Sequence, residues 1–226
     1  WVVSEYGHVD VSQVVEPNRL LRKAGLLSVR EGPFGEILDT FESRAFAVCD
    51  HQLAHIYVRD PGAMARVIEV LGDDPGVDRL VEGEARADLG LDHPRSGELI
   101  ALARPDAWFA YPYWLEDRHA PDFARTVDIH RKPGYDPCEL FFDPNLLWPR
   151  GRAVRRLIQK KLGFRTLFDV IPLDPRLIGG SHGLSAAHPE DGPLLIGAGS
   201  GIEGTRAASL TSVRDRVLTT LGLDED

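Results

Sequence analysis

Cysteine is almost absent from this 226-residue chain, methionine occurs once, and no apolar run is long. Cys49 and Cys138 stand far apart and in no paired motif, which excludes a disulfide framework and fits a reducing, cytoplasmic setting. Cys49, inside an apolar run, reads as a small buried hydrophobe. The longest apolar runs, such as Pro193–Ala198, are too short to cross a bilayer, and no charged, apolar, cleavable leader opens the chain. No membrane partner is therefore expected. Positive charge is also scarce: 26 Lys and Arg against 35 Asp and Glu leave a net charge of −9. That balance offers no basic stripe to neutralise phosphates and excludes a nucleic-acid scaffold. The local exception is Arg150–Lys161, with Arg150, Arg152, Arg155, Arg156, Lys160 and Lys161, which reads as a solvated helix face. Internal repeats and low-complexity tracts are missing too.

The chain also lacks an initiator methionine. It opens Trp1-Val2-Val3-Ser4, an apolar run that reads as a buried strand, and we expect a fragment whose N-terminal half is missing. Such a fragment is expected to self-associate or to pair with that missing half, because a lone sheet edge exposes apolar surface. The other end reads as natural: a helix over Leu210–Leu221, Gly222 as its stop, then an acidic tail.

What is present is ordinary for a globular chain with one core: 43% apolar and 27% charged residues. Proline and glycine punctuation predicts helices over Pro17–Ala24 and Pro61–Leu71, and a strand at Leu26–Arg30. Ala45–Asp50 and Leu53–Val58 are apolar runs about a tight connection and predict a hairpin. Val77–Val81 and Glu84–Leu89 predict a strand and a helix, Gly97–Arg104 and Leu194–Gly197 further strands. This alternation is an α/β or α+β signature. Across residues 105–150 periodicity fades and Trp108, Phe109, Tyr111, Tyr113 and Trp114 crowd together, as in a packed insert or cap that shapes a binding surface.

Three groups of residues could carry chemistry. His182 lies among Gly179, Gly180, Ser181 and Gly183, a loop in which backbone can approach closely and an imidazole can reach a metal. Asp50, His51 and His55 form a second group, but on a hairpin His51 sits at the turn and His55 on the strand, so a structural role is favoured. His130, Arg131 and Lys132 precede a Pro-Gly turn and could grip an anionic phosphate oxygen.

The segment Gly180-Ser181-His182-Gly183, followed by Pro193-Leu194-Leu195-Ile196-Gly197, resembles the closing part of alkaline phosphatase superfamily enzymes, in their type I phosphodiesterase/nucleotide pyrophosphatase branch. Val2-Val3-Ser4-Glu5-Tyr6-Gly7-His8 is similar to that family's Ser-Asp-His-Gly turn, with Glu5 and Tyr6 in place of the metal-binding Asp and His. The resemblance implies an alkaline-phosphatase-like α/β sheet flanked by helices, with residues 1–226 forming the C-terminal part of one catalytic domain and 105–150 an insert within it. It implies hydrolysis of a phosphodiester or nucleotide-type phosphate ester at two divalent metals, typically zinc. His182 and Glu5 would be ligands, with either Tyr6 or His8 completing the set. No Asp-x-x-x-His and no Thr or Ser nucleophile can be assigned, so the fragment alone is expected to be inactive. The alternatives are phosphomonoester or phosphonate hydrolysis, phosphomutase chemistry, or a degenerate member that binds without catalysis.

Overall fold

The computed structural model describes residues 1–198 and 209–223. The chain divides into two units, one formed by Val9–Leu184 and the other by Trp1–His8 with Ser185–Asp226.

The larger unit is mixed α/β. Its first helix, α1 (Pro17–Lys23), starts on a proline whose missing N–H costs nothing at a helix start, and the chain leaves it through Gly25 at φ +71°. Asn18 is fully buried and ties α1 to the sheet, donating to the Ala47 carbonyl (2.9 Å) and accepting from the Ala47 N–H (2.7 Å). The sheet comprises β1 (Ala45–Asp50), β2 (Leu53–Val58), β3 (Val77–Glu82) and β4 (Leu99–Ala103), in the order β1-β2-β4-β3 with every pair antiparallel. Ala45, Ala47 and Cys49 alternate with less buried neighbours, as period two requires of a strand covered mainly on one side. In β4 all five residues are buried. Leu99, Ala101 and Ala103 join the main core, while Ile100 and Leu102 pack with Val81 on the opposite face. Helix α2 (Met64–Gly72) lays Val67 and Leu71 into the main core.

The hairpin β1–β2 forms as its sequence predicts. Two other expectations are corrected. Residues Gly83–Leu89 make a 3₁₀ segment and not an α-helix, starting on Gly83 at φ +59°. The aromatic cluster is core: Ala107–Phe109 pairs in parallel with Gln13–Val15, and Trp108, Phe109, Tyr113 and Trp114 are fully buried. Residues beyond Trp114 run through short 3₁₀ turns to α3 (Pro149–Lys161), the helix expected from the basic run.

In the smaller unit Val2–Val3 pairs antiparallel with Leu195–Ile196. This strand was expected to be buried, yet Val2 and Val3 are 62% and 45% exposed. Helix α4 (Val213–Leu221) follows a turn at Leu210–Ser212 and ends on Gly222 in the left-handed conformation. The acidic tail lies outside the described residues. Among the described residues no helix is long and apolar enough to cross a membrane.

Candidate active site

The β1–β2 hairpin closes through only two residues, His51 and Gln52, since Asp50 already pairs with Leu53. His51 takes φ +55°, the one positive value at a non-glycine among the described residues. A positive φ at the first position of a two-residue hairpin loop matches the right-handed twist of the strands, but glycine normally supplies it. The strained tip is held from several sides. The Phe109 N–H donates to the His51 carbonyl (2.7 Å). The buried Gln52 side chain donates to the Pro105 and Ala107 carbonyls at 3.0 and 3.1 Å, and the Gln52 N–H donates to the His182 carbonyl at 2.9 Å.

That last bond brings His182 to the hairpin. The strand Gly180–Ser181 pairs with Val9–Asp10, and Gly183 follows at φ +121°, where a Cβ would lie 3.2 Å from the Gln52 nitrogen. The close approach foreseen for this glycine-rich loop is therefore made at Gly183; at Gly179 a Cβ would meet nothing. The outcome is a tilted stack of imidazoles, with the His51 and His182 ring centres 3.8 Å apart. The Tyr135 ring lies 4.6 Å from His51. Tyr135 is delivered by Gly134 (φ +126°), whose backbone lies so close to β1 that a Cβ would sit 2.1 Å from the Cys49 carbonyl oxygen. The Tyr135 N–H donates to that same carbonyl. The Asp50 carboxylate stands 3.9 Å from the His51 Nε2.

Beside Tyr135 lies a buried charge cluster. Lys132 has no exposed side-chain surface and reaches Asp136 and Glu139, each at 2.7 Å. The Cys138 and Asp128 N–H groups donate to the same two carboxylates. Lys132, a candidate for gripping a phosphate oxygen, is committed in the fold to two carboxylates. Burial, and then the Asp136 charge, push the nearby Tyr111 phenol well above its ordinary pKa. His130 is exposed, and Arg131 pairs with Asp128 at 3.3 Å and borders a different hollow beside Phe34 and Phe123. The three residues of that sequence group thus do not converge. Of the aromatics expected to shape a binding surface, Trp108, Tyr111 and Trp114 line a cavity of only about 10 Å³, too small for a substrate group. A polar groove of about 710 Å³ has Arg19, Arg125 and Arg176 on its walls, each already facing a carboxylate.

Glu5, Tyr6 and His8 belong to the smaller unit, and all three are exposed there. The Tyr6 and His8 rings meet edge to face at 5.5 Å, and Gly7 lies so near Asp191 that a Cβ would be 2.0 Å from its carbonyl oxygen.

A metal pair of the kind implied by the resemblance needs three or more converging donors per ion. Among the described residues no group of three or more His, Cys, Asp or Glu side chains is placed to hold a metal. The larger unit offers an imidazole pair with a phenol beside it, which is a partial donor set. Sequence reasoning missed His51, because it weighed His51 against His55 on the same hairpin and not against a histidine 131 positions later. The signal available was a tight hairpin with histidine where glycine is usual.

The larger unit is thus a mixed α/β body with two histidines and a tyrosine gathered at a strained hairpin tip. The family model for type I phosphodiesterase / nucleotide pyrophosphatase matches residues 1–136, more than half of the 226 residues, and the chain belongs to that family of phosphoester hydrolases. The match takes in Glu5, Tyr6, His8, His51 and Tyr135 and stops before His182. No curated protein and no solved structure matches the chain.

Proposed function

We propose that this chain supplies part of the catalytic domain of a metal-dependent hydrolase acting on phosphodiesters or nucleotide-type phosphate esters, with an alkaline-phosphatase-like fold. The family match over residues 1–136 carries the reading. The stacking of His182 on His51 supports His182 as a metal donor, since its backbone is pinned by Gln52 and its ring is held by a neighbour. In this reading Glu5, with Tyr6 or His8, serves a second metal, and the metals, zinc by donor preference, supply Lewis-acid stabilisation of charge developing at phosphorus. This chain's own task is to hold donors in place; Gln52, through its bonds to residues 105, 107 and 182, is the main positioning residue.

The test is hydrolysis of bis-p-nitrophenyl phosphate by the protein containing this chain. Activity should require zinc, stop with a chelator, and fall by about a hundredfold or more in His182→Ala, since losing even an outer-shell partner of a ligand costs about 10–100-fold. The 226-residue chain alone should show no turnover above a metal-only blank, because it holds no assignable nucleophile. A His182→Ala protein with unchanged rate and zinc content would remove the metal role.

A second reading, a member that binds phosphate esters without cleaving them, is favoured by the incomplete donor set among the described residues and by Glu5 and Tyr6 at the positions of Asp and His. Fewer than two metals per chain, with ligand binding and no turnover, would select it.

A further inference from the structure

Helix α3 is packed inside out. On a turn of 3.6 residues, Arg152, Arg156 and Gln159 share one side and Val154, Leu157 and Ile158 the opposite one. In a surface helix the apolar side normally faces the core. Here Arg152 and Arg156 both bind the Asp169 carboxylate, Arg156 through a fork of 2.7 and 2.8 Å. Burial works against ionisation of Asp169, but hydrogen bonds from the two arginines outweigh it and hold the carboxyl far below its usual range. The arginine side is thus fixed to the body, and no residue of the helix is buried. Val154, Leu157 and Ile158 are each more than half exposed. Trp148 just before the helix and Leu162 and Phe164 just after it are 76%, 69% and 64% exposed. Gly151 gives Trp148 its place: a Cβ there would meet the indole at 2.6 Å, so only glycine lets the ring lie along the helix start.

The charge around this face is of one sign. Residues 146–165 contain seven Lys and Arg and no Asp or Glu, within a chain of net charge −9. Among the described residues, Arg150, Arg155, Lys160 and Lys161 form no ion pair and are exposed. On the helical turn Arg155 and Lys160 flank the apolar face, and Arg150 and Lys161 stand at its two ends. An apolar stripe with a tryptophan at one end and a rim of cations is the pattern of a helix lying in a membrane interface.

We infer that α3 is a membrane-surface helix that docks on anionic lipid, with Leu157 and its neighbours in the acyl boundary and the free cations on lipid phosphates. Charge decides between occupants. A second copy meeting this face by two-fold symmetry would bring the same unpaired cations against these, whereas an anionic bilayer neutralises them and accepts the apolar side chains together. This adds a peripheral contact, unforeseen in the sequence, to a chain with no membrane-spanning helix among its described residues.

The experiment is co-sedimentation of the protein containing this chain with phosphatidylcholine vesicles containing about one-third phosphatidylserine, beside pure phosphatidylcholine. The chain should pellet with the anionic vesicles only, and less so at high salt. Leu157→Glu should abolish pelleting, and Lys160→Gln with Lys161→Gln should weaken it roughly thirtyfold, two cation–surface contacts' worth. Unchanged melting curves keep these losses apart from unfolding, and Ile158→Glu on the same face serves if Leu157→Glu does not fold. Failure to pellet, or pelleting unaffected by both Leu157→Glu and Ile158→Glu, would overturn the inference. So would self-association that Leu157→Glu removes without any vesicle binding, which would give the face to a protein.

Discussion

At the scale of single residues, His51 is where strain and chemistry coincide. Holding a non-glycine side chain in the left-handed region costs about 1 kcal/mol or somewhat more, and glycine's greater freedom in the unfolded chain takes back about as much. His51→Gly should therefore leave the melting temperature within a few degrees while weakening zinc binding at the site, read by calorimetry on the protein containing this chain. A large loss of stability would mean that the ring itself supports the fold. Lys132 gives the opposite expectation. Lys132→Met would strand two buried carboxylates and should cost about 3–5 kcal/mol in urea unfolding. If Lys132→Met keeps full stability and changes only substrate affinity, its burial has been misread. The spacing of Lys132, Asp136 and Glu139 left this hidden, because on a turn of such irregular backbone nothing local says which way the ammonium points. The special backbone around His182 was legible in its glycines, whereas the approach of His51 and Tyr135 was not, since they meet only through contacts between distant segments.

At the scale of elements, the β1–β2 hairpin was readable because period two shows directly in Ala45–Asp50 and Leu53–Val58. The orientation of α3 was not, since the apolar face points outward only because Asp169, beyond the helix, captures its arginines. Gly134 joins the 132–136 segment to β1, and Gly134→Ala meets both a positive φ and a Cβ 2.1 Å from a carbonyl oxygen. It should lower stability by about 2 kcal/mol or more, measured by thermal melting, and a neutral result would place the segment elsewhere. On β2, burial lowers the His55 pKa, with the Asp50 charge opposing it, and the ring accepts from the Gly97 N–H through Nδ1. A neutral His55 stabilises the fold fully above its unfolded pKa of about 6.5, and this contribution is lost as pH falls from there through the lowered folded value. His55→Gln should flatten stability against pH in that acidic window; an identical pH slope would exclude His55 as its source.

At the scale of the molecule, the chain is mixed α/β with its main core under a four-stranded antiparallel sheet, and it belongs to a phosphoester hydrolase family over residues 1–136. The alternation of elements announced the class of fold. The strand at Val2–Val3 was foreseen, but its exposure was not, because an apolar sequence cannot declare what covers it. The central claim is that His182 is a metal donor. The most direct measurement is anomalous diffraction at the zinc edge from crystals of the zinc-bound protein containing this chain. The account predicts a peak about 2.1 Å from a ring nitrogen of His182. Zinc bound elsewhere, with the His182 ring bare, would contradict it.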